Sequence, residues 1–197
     1  MAKTKDKSID VALLGIFSAV VVVLQGLSYV LPIGTFNLSL VLIPVVLGAV
    51  IFGAKFGAIL GGVFGTVTVI GCITGIDIGG QTLFQASPVL TILVCMIKGV
   101  MAGYVAGLIG NAKRVKNRYV RTILAAISAP LVNTGIFVSS MFLIFKDILY
   151  KWSGDSNVFY FAITALIGVN FLIEFSINAV FSPVIYRIIN ALKKSNI

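Results

Sequence analysis

Apolar runs long enough to cross a bilayer recur along the whole of this chain, at 10–31, 37–53, 56–73, 84–110, 121–145 and 159–190. A helix rises about 1.5 Å per residue and the hydrocarbon layer is about 30 Å thick, so each run of roughly 20 residues reads as a transmembrane helix. Hydropathy windows place such boundaries to about 2–4 residues. The fold expected is an all-α integral membrane protein with six transmembrane helices in a single domain, 1–197. Hydrophobic residues make up 59% and charged residues 11%, far more apolar than a soluble domain. The charged tail 1–10 precedes a run too long for a signal peptide and without a small-residue cleavage site, so that run is expected to remain as the first helix.

The basic residues orient the helices. With the N-terminal tail, the second-to-third and fourth-to-fifth connections and the C-terminal end inside, twelve of the fifteen Lys and Arg residues fall on one face: Lys3, Lys5, Lys7, Lys55, Lys113, Arg114, Lys116, Arg118, Arg121, Arg187, Lys193 and Lys194. Lys146 and Lys151 fall outside and Lys98 lies within an apolar run. The positive-inside rule puts that face, and both termini, in the cytoplasm. The formal charge of +9 is then a topology signal, with some contact to anionic headgroups. Nucleic-acid binding is not expected, because the cations flank spans and form no stripe with aromatics.

Two chemistries are disfavoured by composition. Histidine is absent, and Cys72 and Cys95 have no metal-ligand spacing, so no metal, cofactor or disulfide is expected. An intramembrane enzyme would need a nucleophile with its base, paired carboxylates or a metal, and Glu174 is the single acid within a span.

Two glycine stripes, Gly53, Gly57, Gly61, Gly65 and Gly99, Gly103, Gly107, repeat every fourth residue and suit close packing of helices inside the chain. On the first helix Ala12, Gly15 and Ala19, with Ser18 beside them, form a small-residue face on which a partner helix can dock or against which the chain can pack. The segment 71–81 is rich in glycine and suits a loop that opens and closes, and Trp152 and Tyr150 read as interfacial anchors of the last outer loop.

Ionisable groups in hydrocarbon are costly and need a partner or a function. Lys98 lies about 14 residues into the fourth helix and Glu174 about 15 into the sixth, which brings them to similar depth. Asn170 and Asn178 flank Glu174 at four-residue spacing, and Asn133 reaches comparable depth in the fifth helix. One outcome is a structural ion pair and amide network that sets helix register, with Lys98 reaching inward toward the interface. The other is the floor of a solute pocket open to the outside, with Gln81, Gln85, Ser87, Thr91 and Asn37 above it and Phe36, Phe84 and Trp152 as apolar walls. Phe64, Phe137 and Phe171 read as packing residues.

In order along the chain, Ala12-Leu-Leu-Gly-Ile-Phe-Ser-Ala19, Ile43-Pro44, Phe52-Gly-Ala-Lys-Phe-Gly57-Ala58, Lys98-Gly99-Val-Met-Ala-Gly103 and Asn170-Phe-Leu-Ile-Glu174-Phe-Ser-Ile-Asn178 before Ser182-Pro183 resemble the S components of energy-coupling factor (ECF) vitamin transporters. The resemblance covers most of the chain. It implies a high-affinity binding subunit without an ATPase of its own, which associates with a membrane coupling subunit and two cytoplasmic ATPases and topples to deliver a vitamin inward. The absence of a Gly-x-x-x-x-Gly-Lys-Ser/Thr phosphate-binding motif fits that division of labour. Where members often carry Ala-x-x-x-Ala as a docking face, this chain has Gly15-Ile-Phe-Ser-Ala19, a departure that is conservative in size. Similarity is greatest to pantothenate-type and unassigned members, and Lys98 suits the carboxylate of pantothenate. Riboflavin, cobalamin, a pyridoxine-like compound and a thiamin precursor stay open as cargo. So do a carrier working alone and a membrane scaffold without a small-molecule site.

Overall fold

Proline and glycine set where the helices of this chain begin and end. The computed structural model describes residues 7–30, 32–33, 36–37, 40–154 and 156–194. Helix α1 spans Lys7–Val30. A short antiparallel hairpin follows, β1 (Pro32–Ile33) against β2 (Phe36–Asn37), with Pro32 opposite Asn37. Helix α2 covers only Leu42–Phe52, with Pro44 in its first turn, the one place in a helix where a missing N–H costs nothing. The apolar run expected over 37–53 is therefore not one helix: Asn37 belongs to the hairpin and 42–52 to an 11-residue helix.

Gly53, at φ 102°, turns α2 directly into α3 (Ala54–Thr74). This left-handed backbone is one that side chains with a Cβ rarely adopt. The turn is clamped from α1 by Phe17, whose ring meets Phe52 and Phe56 edge-on at 6.0 and 5.9 Å. Gly75, at φ 77°, ends α3, and Asp77 caps α4 (Ile78–Ala86) by accepting the Gly80 N–H at 2.9 Å. The segment 71–81, read as a mobile glycine-rich loop, is in fact a helix end, a capped turn and a helix start.

The long run 84–110 is likewise broken. Ser87 is extended (φ −156°, ψ 95°), as the residue before a proline prefers, and Pro88 opens α5 (Pro88–Gly110). Asn117 caps α6 (Arg118–Leu143), and α7 (Lys146–Ser153) occupies the connection that follows. The last run comprises α8 (Val158–Phe161), a π-helical stretch Ala162–Gly168 and α9 (Val169–Lys194).

Among the described residues five helices are long and apolar enough to cross a membrane: Ile9–Val30, Ala54–Thr74, Pro88–Gly110, Arg118–Leu143 and Phe171–Ile188. The chain is a helical, multi-pass cell-membrane protein.

Antiparallel α3 and α5 form the centre of the bundle, and the two glycine stripes face each other along it. A Cβ on Gly61 would strike the Gly99 carbonyl, and one on Gly57 the Gly103 carbonyl. The helices thus meet backbone to backbone, as small-residue stripes permit in a solvent where hydrophobic attraction between helices is absent. Around this pair, Val45, Val46, Ala49, Leu60, Ala102, Ala106, Ala125 and Ile185 bury one apolar core. A second core gathers Leu83, Val94, Met141, Phe145, Leu149 and Ala162 under α7.

Candidate functional site

Three helices present polar groups at helical spacing toward one point. On α5, Thr91, Cys95 and Lys98 follow one another at four and three residues, so they share a face. On α3, Phe64, Thr68 and Cys72 do the same at four-residue steps, and on α6 Asn133 and Phe137 are a turn apart. These residues line a cavity of about 100 Å³ together with Gln25 of α1, Asp77, Gly80 and Leu83 at the α3–α4 turn and in α4, Thr134 of α6, and Phe171 and Glu174 of α9.

The cavity lies at one end of α3 and α5. The basic segment 111–121 lies at the other, where the Asn111 side chain donates to the Ala49 carbonyl at 3.2 Å and Gly107 packs on Ala54.

Its chemistry is a mixture of one cation, two carboxylates and amides on aromatic walls. The half-buried Lys98 Nζ sits 5.1 Å from the centroid of the Phe137 ring, a cation–π contact that replaces part of its lost hydration. Asp77 is engaged as the cap of α4. Glu174 is buried, and its backbone carbonyl accepts the Asn178 amide at 2.8 Å. The hydroxyls of Thr68 and Thr91 donate to their own helices, to the Phe64 and Ser87 carbonyls, which leaves their lone pairs for an incoming donor.

Two amide oxygens stand out. Gln25 Oε1 and Asn133 Oδ1 are buried in side chains only 4% and 7% exposed, and neither has a hydrogen-bond partner among the described residues. Leaving such a group unpaired costs about 1–3 kcal/mol, so both are poised to accept N–H or O–H groups from something that enters the cavity. Gln25 is itself held by Tyr29, whose hydroxyl donates to the Val67 carbonyl at 3.1 Å and so ties α1 to α3.

Of the residues expected from the sequence, Lys98, Glu174, Asn133 and Thr91 meet in this cavity. Gln81 does not line it: its amide packs over Gly75, where it braces the turn. Gln85 is exposed on α4. Asn37 belongs to β2 and Asn170 to α9, and the side chains of both lie outside the described residues, as does that of Phe36. Asn178 is buried beside Glu174 and does not reach the cavity. Trp152 packs on the second apolar core, whereas Phe64, Phe137 and Phe171, expected as packing residues, form cavity wall. Gln25, Thr68, Asp77 and both cysteines were not expected there. The four-residue steps Phe64, Thr68, Cys72 and Thr91, Cys95 are the signal that could have found several of them.

On the first helix Ala12, Gly15 and Ala19 are exposed and Ser18 is half-buried, and a Cβ added at Gly15 would meet nothing within 4 Å.

A family model described as "ECF transporter, substrate-specific component" matches residues 10–186. No curated protein matches the chain.

Proposed function

The chain belongs to the family of ECF transporter substrate-specific components, and from that premise we propose that its cavity captures a vitamin or related micronutrient, pantothenate being the favoured cargo. Membership implies a small-molecule substrate and association with an ECF module of coupling subunit and ATPases. The observation that carries the finer reading is the convergence of Lys98 with the unpaired oxygens of Gln25 and Asn133 on one cavity. Pantothenate is a carboxylate joined through an amide to a dihydroxy acid. Its carboxylate suits Lys98 through a charge-assisted hydrogen bond, and its hydroxyl and amide hydrogens suit the two amide oxygens and the Thr68 and Thr91 lone pairs. Glu174 belongs to the same floor.

In this reading the protein crosses the membrane six times, α2 with its hairpin making the sixth crossing, and both termini are cytoplasmic because the basic segments collect there. The cavity then opens outward. The subunit hydrolyses no ATP. It docks through Ala12, Gly15, Ser18 and Ala19 on a coupling subunit served by two cytoplasmic ATPases, whose work releases the cargo inward.

Docking is separable from capture. Gly15→Leu is expected to weaken co-purification with the coupling subunit by roughly tenfold or more, since a bulky residue closes a small-residue helix contact. Pantothenate affinity should not change, because Gly15 faces no part of the chain within 4 Å. Uptake of labelled pantothenate into cells tests the assignment as a whole. It should require both this chain and a coupling module, and uptake by the chain alone would identify a solitary carrier instead.

A further inference from the structure

The basic end of the bundle carries charge that capture of a small molecule at the other end does not use. From 111 to 121 the chain holds Lys113, Arg114, Lys116, Arg118 and Arg121 and no acidic residue. The first three are exposed in the loop, whereas Arg118 and Arg121 are half-buried at the start of α6. At three-residue spacing on one helix their side chains are neighbours, and like charges so placed repel. Arg121 is fixed by a bond from Nη1 to the Ala112 carbonyl at 3.4 Å, while its Nε is buried without a hydrogen-bond partner among the described residues. Among the described residues the ionisable groups that bear on Arg118 are Arg121 and Tyr186, with no carboxylate between them. Tyr186 is brought there by its ring, which meets that of Tyr119 edge-on at 5.2 Å and joins the end of α9 to the start of α6.

We propose that Arg118 and Arg121 form a discrete site for the phosphate of an anionic phospholipid headgroup, at the corner where α6 meets Tyr186 of α9. Depth places them there. The 26 residues of α6 reach about 39 Å at about 1.5 Å each, against about 30 Å of hydrocarbon, so the helix start extends into the layer where lipid phosphates lie. Arg121 is only about 4.5 Å further along the axis. Each guanidinium presents its donors as a fork that matches phosphate oxygens two at a time, and one anion between the pair replaces their mutual repulsion with attraction to both. The helix N-terminus itself is not the site, because Asn117 Oδ1 already accepts the Tyr119 and Val120 N–H groups at 2.9 and 3.4 Å. Nor are the loop cations, which are exposed to water and screened by salt. Half-buried arginines at the end of a spanning helix meet a lipid headgroup, whereas an acidic protein surface would meet the exposed loop first.

The test uses the full-length chain, stripped of lipid in detergent and followed by native mass spectrometry as phosphatidylglycerol or phosphatidylcholine is added. Phosphatidylglycerol should bind saturably, one molecule per chain, and phosphatidylcholine, whose phosphate is balanced by its own choline, roughly tenfold more weakly or less. Replacing both arginines, Arg118→Gln with Arg121→Gln, should weaken phosphatidylglycerol binding by roughly tenfold or more. Replacing two loop cations, Lys113→Gln with Lys116→Gln, removes the same charge and should weaken it by less than about threefold. Arg118→Lys with Arg121→Lys keeps the charge and loses the fork, so it should fall between, and it keeps the outcome readable if the glutamine pair folds poorly. Inorganic phosphate at millimolar concentration is the remaining arm: phosphate retained by the chain and excluding the lipid would overturn the lipid assignment in favour of a soluble anion. The proposal is also overturned if the arginine and loop pairs weaken binding equally or if the two lipids bind alike. It fails as well if the arginine pair leaves lipid binding intact and abolishes co-purification with the coupling subunit, which would make it a protein contact. None of these readouts uses a vitamin, so failure here leaves the capture reading intact, and failure of capture leaves this one intact.

Discussion

Lys98→Met is expected to lower pantothenate affinity by roughly 100-fold or more while the chain still elutes as a folded monomer in detergent. The side chain keeps most of its length and apolar stem, so its packing against Phe137 survives while the charge is lost. A hydrogen bond to a charged group contributes about 1.5–3 kcal/mol, and stranding a ligand carboxylate without its cation costs about 2–5 kcal/mol. At about 1.4 kcal/mol per tenfold, the lower part of that range already reaches 100-fold. Titration of the purified variant by calorimetry decides between roles. Unchanged affinity would remove Lys98 from the ligand site, and loss of the folded protein would assign it to a structural network with Glu174.

Gly61→Val is expected to prevent recovery of folded protein. Its first added carbon would fall on the Gly99 carbonyl, and since the obstacle is backbone, α3 and α5 must separate along their length. The neighbouring contacts at Gly57 and Gly103 would open with them. Overpacking a well-packed interior costs about 1–3 kcal/mol when side chains can yield, and more is expected where they cannot. Gly62→Ala is the matched control, because a Cβ there meets Val100 at an ordinary 3.6 Å. Size-exclusion profiles and thermal unfolding in detergent should separate the two variants. A Gly61→Val chain as stable as the parent would show that the helices do not need backbone contact.

The membrane class and the presence of two close-packing helix faces were legible in the residues, because uniform hydropathy and glycine at every fourth position are strong signals; that the two faces meet each other was not. The interruptions were less legible for the same reason. Hydropathy averages over Ser87-Pro88 and over the hairpin before Leu42, although the extended preference of the residue before proline marks the first break. Nothing in 162–168 announces a π-helical stretch.

At the site, Lys98, Glu174 and Asn133 were conspicuous as polar groups in hydrocarbon. Cys72 and Cys95 were not, because a lone cysteine reads as a small apolar core residue. Phenylalanines at 64, 137 and 171 could not be sorted into packing and cavity wall, since lipid, core and ligand all accept the same ring. Gln81 and Gln85 looked alike in sequence. The turn at Gly75 takes one as a brace and leaves the other exposed.

Equilibrium binding of a vitamin panel to the purified chain, without any partner subunit, tests the central claim most directly. The panel runs from pantothenate through riboflavin, cobalamin, pyridoxine and a thiamin precursor. Saturable binding of pantothenate at nanomolar concentration, with one site per chain, is the predicted result. Tight binding of a different member would keep the capture function and replace the cargo. A folded chain that binds none of them would contradict the account, and would leave a membrane scaffold as the better description of this protein.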